Sequence, residues 1–389
     1  MREIQKELTC SWCQGSRHRS ITPLIRLGWR PYKELSELKQ EKNIMAPRES
    51  ARRTVLWGWY TYVSLAIAGV ILVGLAALLD PKEIWREVVA ANKKFLLLGA
   101  LAHYATYPVR GLRWRRSLIH FPVQGGPGKF GLIVFFYTFV DNLVPAKLAD
   151  LYAAHLARIN CGVRRSAALG SIIFLRTADA WTVLLLAFVA SWVLFAATMA
   201  PPVFWTLVAG GIIAVATTSV MLVFIFLKKL PLTWLPAKAR EMVHAFHTGM
   251  WPNTSEITPI AILTLLVWSL ETLWIFLLLL AFGVTPSLAE AVFLTMVPIL
   301  ASTFPLTPSG AGLVELTLFS CLRLVGVASP VAASVTVVNR LIDYWLHIIT
   351  GVLTWAIRRV IGLRTWSEGP FETVELTETV CREEVVLGG

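Results

Sequence analysis

The stretch DNLVPAKLAD (Asp141–Asp150) interrupts an apolar segment with a proline and charged residues, and TPSGAGLVE (Thr307–Glu315) does the same later in the chain. Each is followed by an Arg-x-x-Asp inside the next apolar segment, RTAD (Arg176–Asp179) and RLID (Arg340–Asp343). The acid that ends each stretch precedes the arginine by 26 positions in the first copy and 25 in the second. This common order and spacing predicts an internal repeat.

The composition is that of a membrane protein. Mean hydropathy is +0.63 and only 15% of the 389 residues are charged. The apolar runs reach the roughly 20 residues that a helix needs to cross a bilayer, and strand-type alternation is absent, so helices are the expected spanning elements. Sixteen tryptophans and eight tyrosines fit two membrane interfaces. The net charge is +12, and we interpret the excess of Lys and Arg as residues that orient the membrane helices. Nucleic-acid binding is not expected, because no folded basic domain outside the membrane is predicted.

Six spans and two broken segments are predicted. The broken segments, 129–159 and 288–324, are each expected to form a re-entrant hairpin or two tight crossings, because backbone that is not helical survives in a membrane only when protein or a wet cavity surrounds it. The spans are Val55–Leu79, Phe95–Val109, Ala167–Leu194, Val203–Leu227, Ile260–Phe282 and Val331–Ile357.

The basic residues predict the orientation of these spans. Arg110, Arg113, Arg115 and Arg116 end the second span and are interpreted as a cytoplasmic positive cluster. Arg164 and Arg165 precede the third span, whereas Arg358 and Arg359 follow the sixth, so the two Arg-x-x-Asp helices should run antiparallel. The predicted fold is an all-α polytopic membrane protein with an inverted repeat of two halves. Each half has three spanning helices plus a re-entrant or broken helix pair. We expect a multi-pass protein of the cell membrane with both termini in the cytoplasm.

The predicted organisation follows the same division. Residues 1–54 form a cytoplasmic, poorly ordered segment, 55–229 the first membrane half, 230–259 a Pro-rich cytoplasmic linker, 203–359 the second half, which shares span four with the boundary, and 360–389 an acidic disordered tail.

Both breaks have the features of an anion site. Thr307 is a good helix N-cap and Pro308 suits the first helical position, so the segment Ser309–Leu324 is predicted as a helix that begins inside the membrane. Its free N–H groups and its dipole would favour an anion there. Lys147 would add a cation from the first copy.

Arginines within apolar spans point to the same site, because an unpaired charge there costs several kcal/mol. Arg176 and Arg340 are accompanied three residues later by Asp179 and Asp343 on the same helix face. In the alternative interpretation, each Arg–Asp pair only neutralises its own charge and holds the helices of the bundle together. The candidate substrate-binding residues are Asn142, Pro145, Lys147, Asp150, Arg176, Asp179, Thr307, Pro308, Ser309, Gly310, Glu315, Arg340, Asp343 and Tyr344.

The remaining polar residues give no sign of catalysis. His103, Glu271 and His347 are interpreted as partners between helices rather than ligands. Cys10 and Cys13 have the C-x-x-C spacing, but the second pair that a zinc site usually needs does not follow at a useful distance. A zinc-type His–Glu spacing, a nucleophile elbow and a phosphate loop are absent, so no catalytic residue, metal or cofactor is expected.

The motifs already quoted, together with Tyr344 and Trp345, resemble the membrane domain of lysylphosphatidylglycerol synthase/flippase proteins and their stand-alone relatives, over roughly Val55 to Arg359. In that family the first motif usually reads N-x-x-P-x-R-x-G-E-x-x-R; here Lys147 stands for the first arginine and Ala153 for the last. Only 30 residues follow Arg359, so the resemblance implies the lipid-handling part without the aminoacyltransferase domain.

The resulting functional prediction is binding or translocation of an anionic phospholipid between leaflets, with membrane lipids as partners and without nucleic acid. Lys147, Arg176 and Arg340 would hold the phosphate. One alternative is an ion- or proton-coupled transporter of a small anion. Others are a membrane enzyme acting on a polyprenyl or glycolipid substrate, and a membrane scaffold that transports nothing.

Overall fold

The structure, a computed structural model, describes residues 81–143, 149–229, 236–302, 310 and 312–365. These residues form helices joined by short turns, and no strand occurs among them. The helices are α1 Pro81–Ala90, α2 Lys93–Ser117, α3 Pro127–Leu143, α4 Ala149–Cys161, α5 Arg165–Phe195, α6 Pro201–Lys229, α7 Ala237–Met250, α8 Thr254–Ala281, α9 Leu288–Ser302, α10 Leu313–Leu324, α11 Ser329–Arg340 and α12 His347–Ala356, with a π-helical segment, Leu341–Leu346, between α11 and α12.

Three helices in the described part are long and apolar enough to cross a membrane, namely α5, α8 and the Pro201–Phe224 portion of α6. The all-helical membrane fold predicted from composition is therefore confirmed. The predicted first span, residues 55–79, and the terminal segments 1–54 and 366–389 lie outside the described residues. The cytoplasmic position of the termini stays a prediction.

The helix lengths repeat in chain order. α2, α3, α4 and α5 contain 25, 17, 13 and 31 residues. α8, α9 and α10 contain 28, 15 and 12, and are followed by the helical run Ser329–Ala356. Each series is thus a long helix, two short helices and a long helix, as the predicted repeat requires. The inverted orientation of the two halves stays a prediction.

Each pair of short helices lies in its own apolar core. The first core includes Phe130 of α3 and Leu156 of α4, and the second includes Phe293 of α9 and Leu322 of α10; all four side chains are buried. α5 belongs to both cores, since Ala167–Leu175 contributes to the first and Val183–Ala190 to the second. The charged residues of α5 therefore lie between the two cores.

Three boundaries differ from the prediction. The predicted linker 230–259 contains α7 and the first six residues of α8 in the part that the structure describes, so much of it is helical. Pro259 is the sixth residue of α8, and its missing N–H removes one hydrogen bond of the helix. The second span was predicted to end at Val109, but α2 continues to Ser117 because its arginines find partners inside the bundle.

The third difference concerns the helix predicted over Ser309–Leu324, which begins at Leu313 instead. Gly310 and Gly312 have positive φ values of 64° and 88°, a conformation that ends helical geometry and suits glycine. Thr307 and Pro308 lie outside the described residues. The dipole end of α10 is therefore several residues further along the chain than the sequence indicated.

Glycines let several helices approach closely, as is common between membrane helices. A Cβ on Gly111 of α2 would overlap the backbone of Gly131 in α3, and one on Gly170 of α5 would overlap the Phe246 carbonyl of α7. α2 and α5 therefore occupy positions fixed by contact between main chains.

We expect Gly111→Ala to lower the free energy of unfolding by about 1–3 kcal/mol, because the methyl group must push α2 away from α3. Thermal unfolding in detergent, followed by tryptophan fluorescence, measures the change. Gly211→Ala in α6 is the matched control, since its Cβ meets only Leu184 at 4.0 Å, and it should be neutral or stabilising by up to about 1 kcal/mol. Equal midpoints for the two variants would contradict this packing.

Candidate functional site

Two ion pairs connect the short helices to the long helix that follows them. In the first half Arg176 Nη2 of α5 lies 2.9 Å from Asp150 Oδ1 of α4. In the second half Arg340 Nε of α11 lies 2.7 Å from Glu315 Oε1 of α10. The first pair is partly accessible, with 38% of the Arg176 side chain exposed, whereas only 6% of Arg340 is. The two copies of the motif thus make the same kind of ion pair, but the second pair is more deeply buried in the protein than the first.

The aspartates of the two Arg-x-x-Asp motifs are bound by α2 instead. Arg113 makes a bidentate pair with Asp179, at 2.5 and 2.8 Å, and Trp268 donates its indole N–H to the same carboxylate. His103 Nε2 lies 3.4 Å from Asp343 Oδ1. This arrangement differs from the alternative in which each Arg–Asp pair only neutralises itself, because both aspartates contact side chains of α2.

The geometry of a helix explains this difference. Side chains in a helix lean toward its N-terminus, so an arginine three positions before an aspartate reaches away from it. The reverse order, with the acid first, is the favourable one within a helix. Arg176 and Arg340 therefore bind acids on the preceding short helices.

Glu271 of α8 connects the two halves of the chain. Its carboxylate accepts a hydrogen bond from Arg110 Nη2 at 3.0 Å and lies 3.0 Å from His103 Nδ1. The Arg110 guanidinium also lies 5.3 Å from the centre of the Trp268 ring, a favourable cation–π distance. His103 and Glu271 are thus partners between helices, as the sequence analysis predicted.

The residues of the ion pairs described above form one charge belt. On α5, and at His103 of α2, the belt falls between the positions that contribute to the two apolar cores. Its members are His103, Arg110, Arg113, Asp150, Arg176, Asp179, Glu271, Glu315, Arg340 and Asp343.

The expected anion site at the start of the second short helix is occupied by its own acid. Glu315 Oε2 accepts a hydrogen bond from the N–H of Gly312, the N-cap of α10, at 2.7 Å. The same carboxylate binds Arg340, so a side chain already satisfies the free N–H and the dipole. Arg340 Nη2 is buried and has no hydrogen-bond partner among the residues that the structure describes. A ligand at this end of α10 would have to displace Glu315.

Two cavities open onto the belt, and Arg110 lines both. The arginine cavity, of about 40 Å³, has three arginines and one carboxylate in its wall: Arg110, Arg113, Arg176 and Asp179, beside Tyr137. The histidine cavity, of about 220 Å³, is lined by His103, Glu271, Asp343 and Asn339, together with Trp268 and Trp274. Among the described lining residues, the arginine cavity has three arginines and one carboxylate, and Arg110 and Arg176 also pair with acids outside that lining. The described lining of the histidine cavity has two carboxylates, Arg110 and His103.

The other predicted site residues differ in their positions. Tyr344 donates its hydroxyl to the Asn142 carbonyl at 3.4 Å, a weak contact between the two copies, and its ring lies 4.4 Å from the Arg340 guanidinium. Gly310 is buried. The remaining predicted residues, Pro145, Lys147, Thr307, Pro308 and Ser309, lie outside the described residues.

Sequence reasoning missed Arg110 and Arg113. With Arg115 and Arg116 they were interpreted as a cytoplasmic positive cluster at the end of a span. Their spacing carried a signal, since His103, Arg110 and Arg113 lie seven and three positions apart and share one helix face. Arg115 lies off that face and is exposed.

The described residues contain no group of three potential metal ligands. Arginine side chains, the main donors in the described lining of the arginine cavity, carry no lone pair for a metal and suit an anion instead.

Comparison with known proteins agrees with the sequence motifs and the fold. Residues 62–351 match the family described as the lysylphosphatidylglycerol synthase TM region. A UPF0104 membrane protein of Methanocaldococcus jannaschii is 26% identical over 223 residues, which cover 56% of this chain and 94% of that protein. Another UPF0104 membrane protein, from Methanothermobacter thermautotrophicus, is 24% identical over 321 residues, covering 74% of this chain and 90% of that protein. The chain is a membrane protein that belongs to the lysylphosphatidylglycerol synthase TM-region family.

Proposed function

We propose that this protein binds the phosphate of an anionic phospholipid at the arginine cavity and moves the lipid between the leaflets of the membrane. The observation that carries the proposal is the convergence of three arginines on a cavity with a single aspartate in its wall. Charged side chains inside a helix bundle are costly, and their usual role is in a substrate or ion pathway.

Arg176 is the main phosphate ligand in this mechanism. It is the most exposed cation of the belt and its present partner, Asp150, is itself partly accessible. A phosphate oxygen can replace the Asp150 carboxylate without leaving the guanidinium unpaired, because Arg binds both groups with the same planar geometry. The exchange of one anion for another keeps the cost of opening the pair low.

Arg110 and Arg113 have separate roles. Arg110 lines the cavity with its side chain 24% exposed, so it can add a second contact to the phosphate. Arg113 is 5% exposed and holds Asp179 in a bidentate pair, which fixes α2 against α5. We place Arg340 with Arg113 as a positioning residue, because it is buried with Glu315.

The cavity sizes fit a head group whose acyl chains remain in the bilayer. A phosphate would enter at the mouth of the 40 Å³ arginine cavity, and the adjoining 220 Å³ histidine cavity could hold the rest of the head group. Complete lipid-sized pockets are larger, about 300–1,000 Å³. The small arginine cavity also favours a second candidate, transport of a small inorganic anion.

Mass spectrometry of the purified protein and thermal unfolding with added phosphate distinguish the two candidates. Co-purified anionic lipid with little effect of inorganic phosphate is expected for the lipid function. Absence of bound lipid together with a phosphate-dependent rise of the unfolding temperature would support the small anion instead.

We expect Arg176→Gln and Arg110→Gln each to slow translocation at least about tenfold, because a hydrogen bond to a charged group contributes about 1.5–3 kcal/mol and 1.4 kcal/mol is tenfold. The assay follows fluorescent phosphatidylglycerol in proteoliposomes by its loss of protection from an external quencher. Arg115→Gln, in the same helix but outside both cavities, should behave as the wild type. Rates unchanged in all three variants would remove the arginines from the pathway.

The double variant Asp150→Asn/Arg176→Gln separates a lipid ligand from a simple connection between helices. Arg176→Gln alone should lower stability by about 1–3 kcal/mol, less than a fully buried pair, because it leaves Asp150 without its cation. The double variant should recover most of that stability and still translocate poorly, since the phosphate ligand is gone. Recovery of both stability and translocation would mean that the pair only joins α4 to α5.

A further inference from the structure

His103 occupies an unusual position between two carboxylates. The residue is 4% exposed and belongs to α2. Its Nδ1 lies 3.0 Å from Glu271 of α8, and its Nε2 lies 3.4 Å from Asp343 of the π-helical segment. The Nε2 contact lacks the geometry of a hydrogen bond. Two anions from different helices therefore face the two nitrogens of one buried ring.

The number of protons on the ring decides whether both contacts are favourable. A neutral imidazole carries one N–H and can donate to one carboxylate, which leaves a lone pair facing the other anion; the doubly protonated ring donates to both. His347 shows the contrast, because Phe135 O and the Tyr107 hydroxyl satisfy its nitrogens at 3.2 and 3.1 Å and neither partner is an anion. In the described belt, the two carboxylates beside His103 favour the doubly protonated form of its imidazole ring.

Charged and titratable groups from each helix packed against His103 contribute to its field. Burial opposes the charged ring, the carboxylates of Glu271 and Asp343 favour it, and Arg110 opposes it. The tyrosine partners are uncharged near pH 7. These groups are Tyr104, Tyr107, Arg110, Glu271, Asp343 and His347.

The proton has an access route and a connection to the arginine cavity. The Asp343 side chain is 42% exposed and lines the histidine cavity, so a proton can arrive through it. Glu271 is shared between His103 and Arg110, and Arg110 lines both cavities. A protonated His103 competes for Glu271, which weakens the hold of Glu271 on Arg110 and makes the arginine cavity more attractive to an anion.

We propose that His103, held between Glu271 and Asp343, is a proton-binding site whose occupancy sets the pairing of Arg110 and so couples anion binding in the arginine cavity to protons. The coupling rests on the proposed function, whereas the proton site does not. The π-helical turn that carries Asp343 is a feature frequent at functional sites, and it lets the aspartate move when the proton leaves.

Nuclear magnetic resonance of protein labelled with ¹⁵N-histidine, in detergent and without added lipid, tests the proton site. The His103 ring signals, identified by their loss in His103→Gln, should titrate between pH 5 and 9. In Asp343→Asn the midpoint should move to lower pH by at least about one unit, because a carboxylate that favours the charged ring has been removed. A midpoint unchanged by Asp343→Asn would overturn the site.

Translocation of fluorescent phosphatidylglycerol, with the same pH on both sides of the membrane, tests the coupling. The wild type should be faster at pH 5.5 than at pH 8 by about tenfold, within the usual range of coupling between two sites. His103→Gln should lose this dependence, and His120→Gln, an exposed histidine after α2, should keep it. A pH profile retained in His103→Gln would overturn the coupling. Wild-type protein that moves no lipid at any pH would overturn the proposed function, and the ring titration would still decide the proton site.

Discussion

The structure depends on the neutralisation of charge inside an apolar bundle. Five carboxylates lie in the described belt, and a cation on another helix binds each of them, in four cases an arginine. Truncating one member of such a pair leaves a buried charge, which costs more than the pair gains. The relative positions of α2, α5, α8 and α11 are therefore linked through their charges as well as through their packing.

The two halves use this constraint in different ways. The aspartate that follows Arg176 is bound by Arg113, a permanent cation, whereas the aspartate that follows Arg340 faces His103, which can lose its charge. The short-helix pairs differ as well, since Arg176 is accessible and Arg340 is buried. The two halves have the same element order, but one aspartate is paired with an arginine and the other faces a titratable histidine. Both of these partners belong to α2.

Much of the fold was predictable because hydropathy and break residues are local signals. The long helices α5 and α8, both pairs of short helices and the acid-to-arginine spacing all follow from the order of residues. The helices that the sequence did not predict correctly differ for physical reasons. α7 is a mixed-charge helix without an apolar run, and α10 begins later than predicted because two glycines adopt positive φ. The arginines of α2 looked like a membrane-end cluster because their partners lie on helices more than 60 residues away in the chain.

The sequence by itself determined that this is a helical membrane protein with a repeated order of elements, that Arg176 and Arg340 and their neighbouring acids lie inside it, and which family it belongs to. Tertiary structure alone decided which acid binds which cation. A spacing of three residues places two side chains on one face, but side chains in a helix point toward its N-terminus, and the nearest opposite charge is then on a neighbouring helix. The same physical reason makes Arg110 and His103 central, because only the packing of α2 against α8 places both beside Glu271.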